Sequence, residues 1–204
     1  MSSVKLYDIL WQVKNAGPSP DDNRRTEIYF AGCQKALSGN PCKNCFNQDL
    51  WCNLNSIPLN PVDIVDQLDK QNIPKYVTIV GGEPTDQIEG LIDLITILKN
   101  RGYHIMLFTW RSYEWVKDMI GRINLKKIDI MVTEPYIEEF RIYNTALDDG
   151  IHNVIGSGNQ KVITSLDKTE PFIIEAAKIN NMTLDINNNL KIVVKEEVEH
   201  GSEQ

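Results

Sequence analysis

Histidine is scarce in this chain, three residues in 204, and no Ser, His and Asp constellation for nucleophilic catalysis stands out. Positive charge is in deficit as well: 21 Lys and Arg against 28 Asp and Glu give a formal charge of −7. Phosphate binding relies on a surplus of Lys and Arg, so the balance argues against a nucleic-acid partner. No run of eighteen apolar residues occurs, and no membrane span is expected. The start, Met1-Ser2-Ser3-Val4-Lys5, lacks the basic and apolar regions of a secretory signal. Cysteine is also sparse. There are four, and three of them fall close together, which does not suit a disulfide framework. Reduced thiols used as ligands in a cytoplasmic protein fit better.

The remaining composition, 42% apolar, supports one core. Strand-like and helix-like segments alternate along the chain. Leu6 to Val13 reads as an opening strand, and Thr26 to Ala31 as the first well-defined one. Asn60 precedes a helix with Pro61 at its first position, Asp63 in its first turn and Ile64, Val65 and Leu68 on its buried face. Tyr76 to Val80 is a continuous apolar strand. A helix over Gln87 to Asn100 follows, with Ile88, Leu91, Ile92, Ile95 and Leu98 at helical spacing. His104 to Thr109 is the next strand, Ser112 opens a helix toward Gly121, and Ile128 to Val132 is another strand. This order predicts an α/β protein with mainly parallel strands, as an open sheet or a partial (β/α) barrel.

A core over 1–165 is expected, followed by a second region over 166–204. There the pattern gives a helix from Pro171 to Ile179 and a hairpin of Thr183–Ile186 with Leu190–Val194 around Asn187-Asn188-Asn189. An acidic tail from Lys195 to Gln204 closes the chain.

Cys33, Cys42 and Cys45 follow the first well-defined strand. Three thiolates suit an iron–sulfur cube, because four iron corners leave one open for a substrate. Gly81-Gly82-Glu83-Pro84 follows the strand Val77-Thr78-Ile79-Val80, and its glycines let a small molecule approach the backbone. The Glu83 backbone can accept an ammonium group while the carboxylate orients the site. Thr109 ends a third strand at the same rim. Ligands gather at the C-terminal ends of strands in such folds. Asn159 and Gln160, after glycines, read as a simple turn or as amides suited to adenine or ribose recognition, with the second reading slightly ahead. Other readings stay open: a zinc site with Cys52, His104, His152 or His200 as fourth ligand, or unrelated buried thiols. Cys52 reads as a non-ligand thiol, His104 as structural, Trp110 as packing or rim, and the Arg24-Arg25 pair as solvated or, less often for such a pair, facing a partner or substrate.

The motifs resemble those of the radical S-adenosylmethionine enzymes, and within them the short activating enzymes of anaerobic ribonucleoside-triphosphate reductase. Phe30-Ala31-Gly32-Cys33 resembles the lead-in to the first ligand, and Cys42-x-x-Cys45-Phe46-Asn47-Gln48 with Trp51 resembles the ligand run. Gly81-Gly82-Glu83-Pro84 matches the cofactor turn. Gly156-Ser157-Gly158-Asn159-Gln160-Lys161 resembles a late segment of that group, and Asp129 to Tyr136 the strand and turn before it. The likeness spans roughly residues 5 to 165. One departure is clear: eight residues, Gln34 to Pro41, separate the first two cysteines where the family has three. They are expected to form a flexible loop, whose closure costs only slightly more with length.

The resemblance implies a [4Fe–4S] cluster on Cys33, Cys42 and Cys45, with S-adenosylmethionine held by Gly81, Gly82, Glu83, Thr109, Ser157, Asn159 and Gln160. It implies a partial-barrel fold, a flavodoxin-type electron donor and a glycyl radical enzyme as protein substrate. A small molecule such as a deazapurine precursor, a peptide, or a non-catalytic metal-bound module are the alternatives.

Overall fold

The computed structural model describes residues 2–20, 23–141, 154–175, 182–184 and 190–192. The chain opens with strands β1 (Val4–Val13) and β2 (Arg25–Phe30) and a short helix α1 (Gln34–Leu37). Strand β3 (Ile57–Leu59), helix α2 (Pro61–Lys70), strand β4 (Tyr76–Gly81) and helix α3 (Ile88–Asn100) follow. Next come β5 (His104–Phe108), α4 (Tyr113–Ile120), α5 (Arg122–Leu125) and β6 (Ile130–Thr133). Strands β7 (Lys161–Thr164), β8 (Phe172–Glu175), β9 (Met182–Leu184) and β10 (Leu190–Ile192) complete the described elements.

Eight strands form one sheet in the order β3-β1-β2-β4-β5-β6-β7-β8. The fold is mixed α/β. Its centre, β2-β4-β5-β6, is parallel, while β3-β1-β2 and β6-β7-β8 pair antiparallel. The expectation of mainly parallel strands therefore holds only for the centre. Parallel pairing needs a long crossover, and the short link from Ser165 to Pro171 between β7 and β8 holds none.

The central strands are buried on both faces, as their apolar runs require. One face carries Val77, Ile79, Ile105, Leu107, Met131 and Ile163 against helix residues such as Ile64, Leu68, Leu91, Leu94, Ile95, Leu98 and Val116. The other carries a smaller cluster of Met106, Ile130, Val132, Ile155 and Val162. Asn60 takes the N-cap position of α2 with extended backbone, but its side chain donates to Asp63 (3.4 Å) instead of accepting from a backbone amide. Ser112 does cap α4, accepting from the Trp115 amide at 3.3 Å.

Three expectations are revised. Residues 34–41 do not form loop throughout, because Gln34–Leu37 make one helical turn beginning at Cys33. The helix expected over Pro171 to Ile179 is, in its described part, strand β8. Its Phe172 and Ile173 pair with Thr164 and Ile163, and edge pairing outweighs local preference there. Strand β8 thus carries the sheet beyond residue 165. The Arg24-Arg25 pair is not solvated: Arg25 is fully buried, and Arg24 donates to the Gln12 carbonyl. The expected hairpin appears as β9 paired antiparallel with β10, while Asn187-Asn188-Asn189 and the acidic tail lie outside the described residues. Among the described residues, no helix is long and apolar enough to cross a membrane.

Candidate metal and cofactor site

The parallel centre delivers the C-terminal ends of β2, β4, β5 and β6 to one side, and a cavity of about 230 Å³ opens there. Cys33, Cys42 and Cys45 all line it, together with Gly81, Gly82 and Glu83. The two motifs, about thirty-five residues apart in sequence, therefore belong to one site.

Register explains the meeting. Strands β2 and β4 pair in parallel through Phe30 and Gly81, so the residues after each strand emerge side by side. Backbone bonds then stitch the two exits together. The Gly82 amide donates to the Phe30 carbonyl (2.8 Å), and the Glu83 amide to that of Gly32 (2.8 Å). A Cβ on Gly81 would strike the Phe30 backbone, and one on Gly82 would strike the carbonyl oxygens of Gly32 and Leu50. Gly81 also has φ +125°, open to glycine alone at low cost. Glycine at both positions serves close contact between backbones.

Cys33 begins α1, with its amide donating to the Trp51 carbonyl (3.0 Å). Cys42 and Cys45 sit in a turn closed by the Cys45 amide on the Cys42 carbonyl (3.2 Å). Burial pushes the Cys33 and Cys42 thiols up from their ordinary value, and the Lys35 ammonium partly offsets this at Cys42. Binding a metal here would release protons from these thiols.

Glu83 is 1% exposed and fully engaged. Oε1 accepts from the Thr85 amide (2.9 Å), the Thr85 hydroxyl (2.6 Å) and the Thr109 hydroxyl (2.8 Å). Oε2 accepts from the Trp110 amide (3.0 Å). Burial raises its pKa, and these four bonds oppose the rise. The carboxylate thus joins the turn after β4 to the end of β5.

Gly156 and Gln160 reach the cavity wall, while Ser157 and Asn159 stand behind it. The Gln160 amide oxygen accepts from the Gly156 and Ser157 amides, and its nitrogen donates to the Glu134 carbonyl. Buried Ser157 donates to Asn159, which donates in turn to the Pro135 carbonyl (2.7 Å). These side chains fold the segment onto residues 134–137.

The wall also holds residues that sequence reasoning passed over or left undecided, among them Phe46, Val80, Phe108, Trp110, Glu134 and Tyr136. Trp110 lies under the Arg111 guanidinium at 3.9 Å, which also covers Trp115 at 4.3 Å and pairs with Asp86 at 3.0 Å. No local motif announces this stack, which depends on the β5 exit. Glu134 adopts φ +77°, an uncommon state for a side-chain-bearing residue.

The donor set suits an iron–sulfur group: three thiols, with no histidine on the wall. Neither sequence-level candidate for a fourth zinc ligand within the described residues reaches it. Cys52 is not on the wall, and His104 stacks on Tyr76 and meets Arg25 at the other end of its strand. His152 and His200 lie outside the described residues. Among the described residues, no three His, Cys, Asp or Glu side chains stand close enough to hold a single ion.

A thiol loop at the exit of a parallel sheet, facing a glycine turn, defines an α/β protein built to hold a sulfur-ligated metal group. The sequence pattern of the 4Fe-4S single cluster domain matches residues 22–163, most of the chain, and the chain belongs to that family. It is an iron–sulfur protein. No curated protein matches the chain.

Proposed function

We propose that the chain is a radical S-adenosylmethionine enzyme of the activating type, with a partial (β/α) barrel as its framework. The observation that carries this reading is the shared cavity of Cys33, Cys42, Cys45 and the Gly81-Gly82-Glu83 turn. Three thiols leave one iron of a [4Fe–4S] cluster without a protein ligand. The glycine turn lines the same cavity, where the amino and carboxylate groups of S-adenosylmethionine would bind. The chemistry supplied there is one-electron reduction of a sulfonium, with an electron from a flavodoxin-type donor, giving methionine and a 5′-deoxyadenosyl radical.

The protein's own part is positional. Glu83 and Thr109 hold the turn and the β5 exit in one arrangement, and Gln160 fixes the opposite wall. Val80, Phe108 and Trp110 give the space an apolar lining that limits water.

A protein substrate is favoured by Phe46. Its ring lines the cavity yet is 77% exposed. Such a mouth suits a loop of a glycyl radical enzyme of the anaerobic ribonucleotide reductase kind. Reduced thiols used as ligands favour a cytoplasmic setting for this chemistry.

The test is anaerobic reduction of the reconstituted protein with dithionite, followed by assay of 5′-deoxyadenosine. Slow formation alone, and faster formation with a protein whose spectrum then shows a glycine-centred doublet, is the expected result. No 5′-deoxyadenosine from a fully loaded protein would reject the enzyme reading. Stimulation by a small molecule alone would keep the chemistry and reject the protein partner.

A further inference from the structure

Asn47 stands two residues beyond Cys45, and its side-chain nitrogen donates to the Gly81 carbonyl at 3.1 Å. Both residues line the cavity. The backbone bonds that press the glycine turn into place come from the other direction: Phe30 and Gly32 receive the Gly82 and Glu83 amides on the Cys33 side. The Cys42–Cys45 turn is tied to the glycine turn through the Asn47 side chain. The glycine turn has little slack, because its amides are bonded to neighbouring backbone and even a Cβ on either glycine would strike it. A shift of the thiol turn is therefore passed to the Gly81 peptide.

We propose that Asn47 is a positioning residue that couples the two halves of the site. Loading of the thiols fixes the 42–47 segment, and Asn47 then holds the Gly81 peptide in the orientation that receives the methionine end of S-adenosylmethionine. The ligand named here rests on the reading under Proposed function; the coupling between the loops does not.

The test compares wild type with Asn47→Ala and Asn47→Asp, since aspartate keeps the size but cannot donate. Amide hydrogen exchange over Gly81–Glu83 is measured by mass spectrometry on anaerobic protein, before and after reconstitution of the cluster with iron and sulfide. Loading should slow exchange in wild type and leave it unchanged in both variants, while iron and sulfide contents stay equal. Calorimetry on loaded protein should show S-adenosylmethionine binding weakened by roughly three- to ten-fold, the share of one hydrogen bond. Equal slowing in wild type and variants overturns the coupling, as does undiminished affinity where wild type binds. Loss of iron from both variants would also overturn it, by making Asn47 part of the thiol turn's own fold. A wild type that loads and slows exchange but binds no S-adenosylmethionine would reject the cofactor reading and leave the coupling standing.

Discussion

The Thr109 hydroxyl donates to Glu83 Oε1 at 2.8 Å, joining the exits of two adjacent parallel strands through a carboxylate that solvent barely reaches. The bond ties the turn after β4 to the exit of β5, and it makes Glu83 a brace as well as part of the cavity wall.

A pH dependence follows. Burial raises the Glu83 pKa, so between the ordinary carboxyl value and the raised one the folded protein holds a proton that the unfolded chain has lost. Stability contributed at this position falls as pH rises through that interval and recovers as pH falls. Wild type should therefore gain stability relative to Glu83→Gln as pH drops from neutrality toward the ordinary carboxyl range. Urea unfolding at several pH values measures the difference, and a flat or opposite trend would show that the four hydrogen bonds outweigh burial.

Replacing Cys33, Cys42 or Cys45 with Ala should abolish iron–sulfur loading, because each supplies one thiol to the shared cavity. Cys52→Ala should load normally, since Cys52 is not on that wall. Iron and sulfide analysis with the visible absorbance of the cluster decides. A colourless Cys52→Ala protein would favour a site of four cysteines.

Gly82→Val is expected to disturb the framework of the site. The added atoms meet the carbonyl oxygens of Gly32 and Leu50, which belong to the framework of the thiol region. Overpacking against backbone of this kind costs about 3 kcal/mol. The variant should unfold at lower urea concentration and load less iron. Full loading with unchanged stability would mean that the contact relaxes easily.

The legible part of this protein is the part written in local residue types. Three thiols, a glycine pair after an apolar strand and the helical spacing of Leu91, Ile95 and Leu98 each state their role within a few positions. Strand β3 escaped notice because Ile57-Pro58-Leu59 is a three-residue edge strand containing proline. Strand β8 looked helical because its pairing with β7 is a tertiary fact. The four hydrogen bonds to Glu83 come from three residues, at positions 85, 109 and 110, and only the parallel register brings the last two within reach.

Arg25 shows the same limit and gives the strongest stability test. From sequence it is one of two adjacent arginines; in the fold it is fully buried at the start of β2. Nε donates to the Thr78 hydroxyl (2.9 Å), and the two terminal nitrogens donate to the carbonyls of Pro18 (2.6 Å), Val77 (2.6 Å) and His104 (3.1 Å). Burial lowers its pKa to about 9, with Asp129 opposing, so it remains charged at neutral pH. Removing the guanidinium strands several acceptors, most of them backbone carbonyls that no second substitution can delete. Arg25→Met should therefore cost about 3 kcal/mol or more despite its apolar fill, because unsatisfied buried acceptors carry their full desolvation penalty. Arg25→Lys should cost less, since an ammonium keeps the charge and up to three donors, but lacks the planar fork that reaches both Pro18 and Val77. Urea unfolding of the three proteins ranks them. A Met variant within 1 kcal/mol of wild type, roughly one hydrogen bond's worth, would show that the connection around Pro18 can move and expose the freed carbonyls to water.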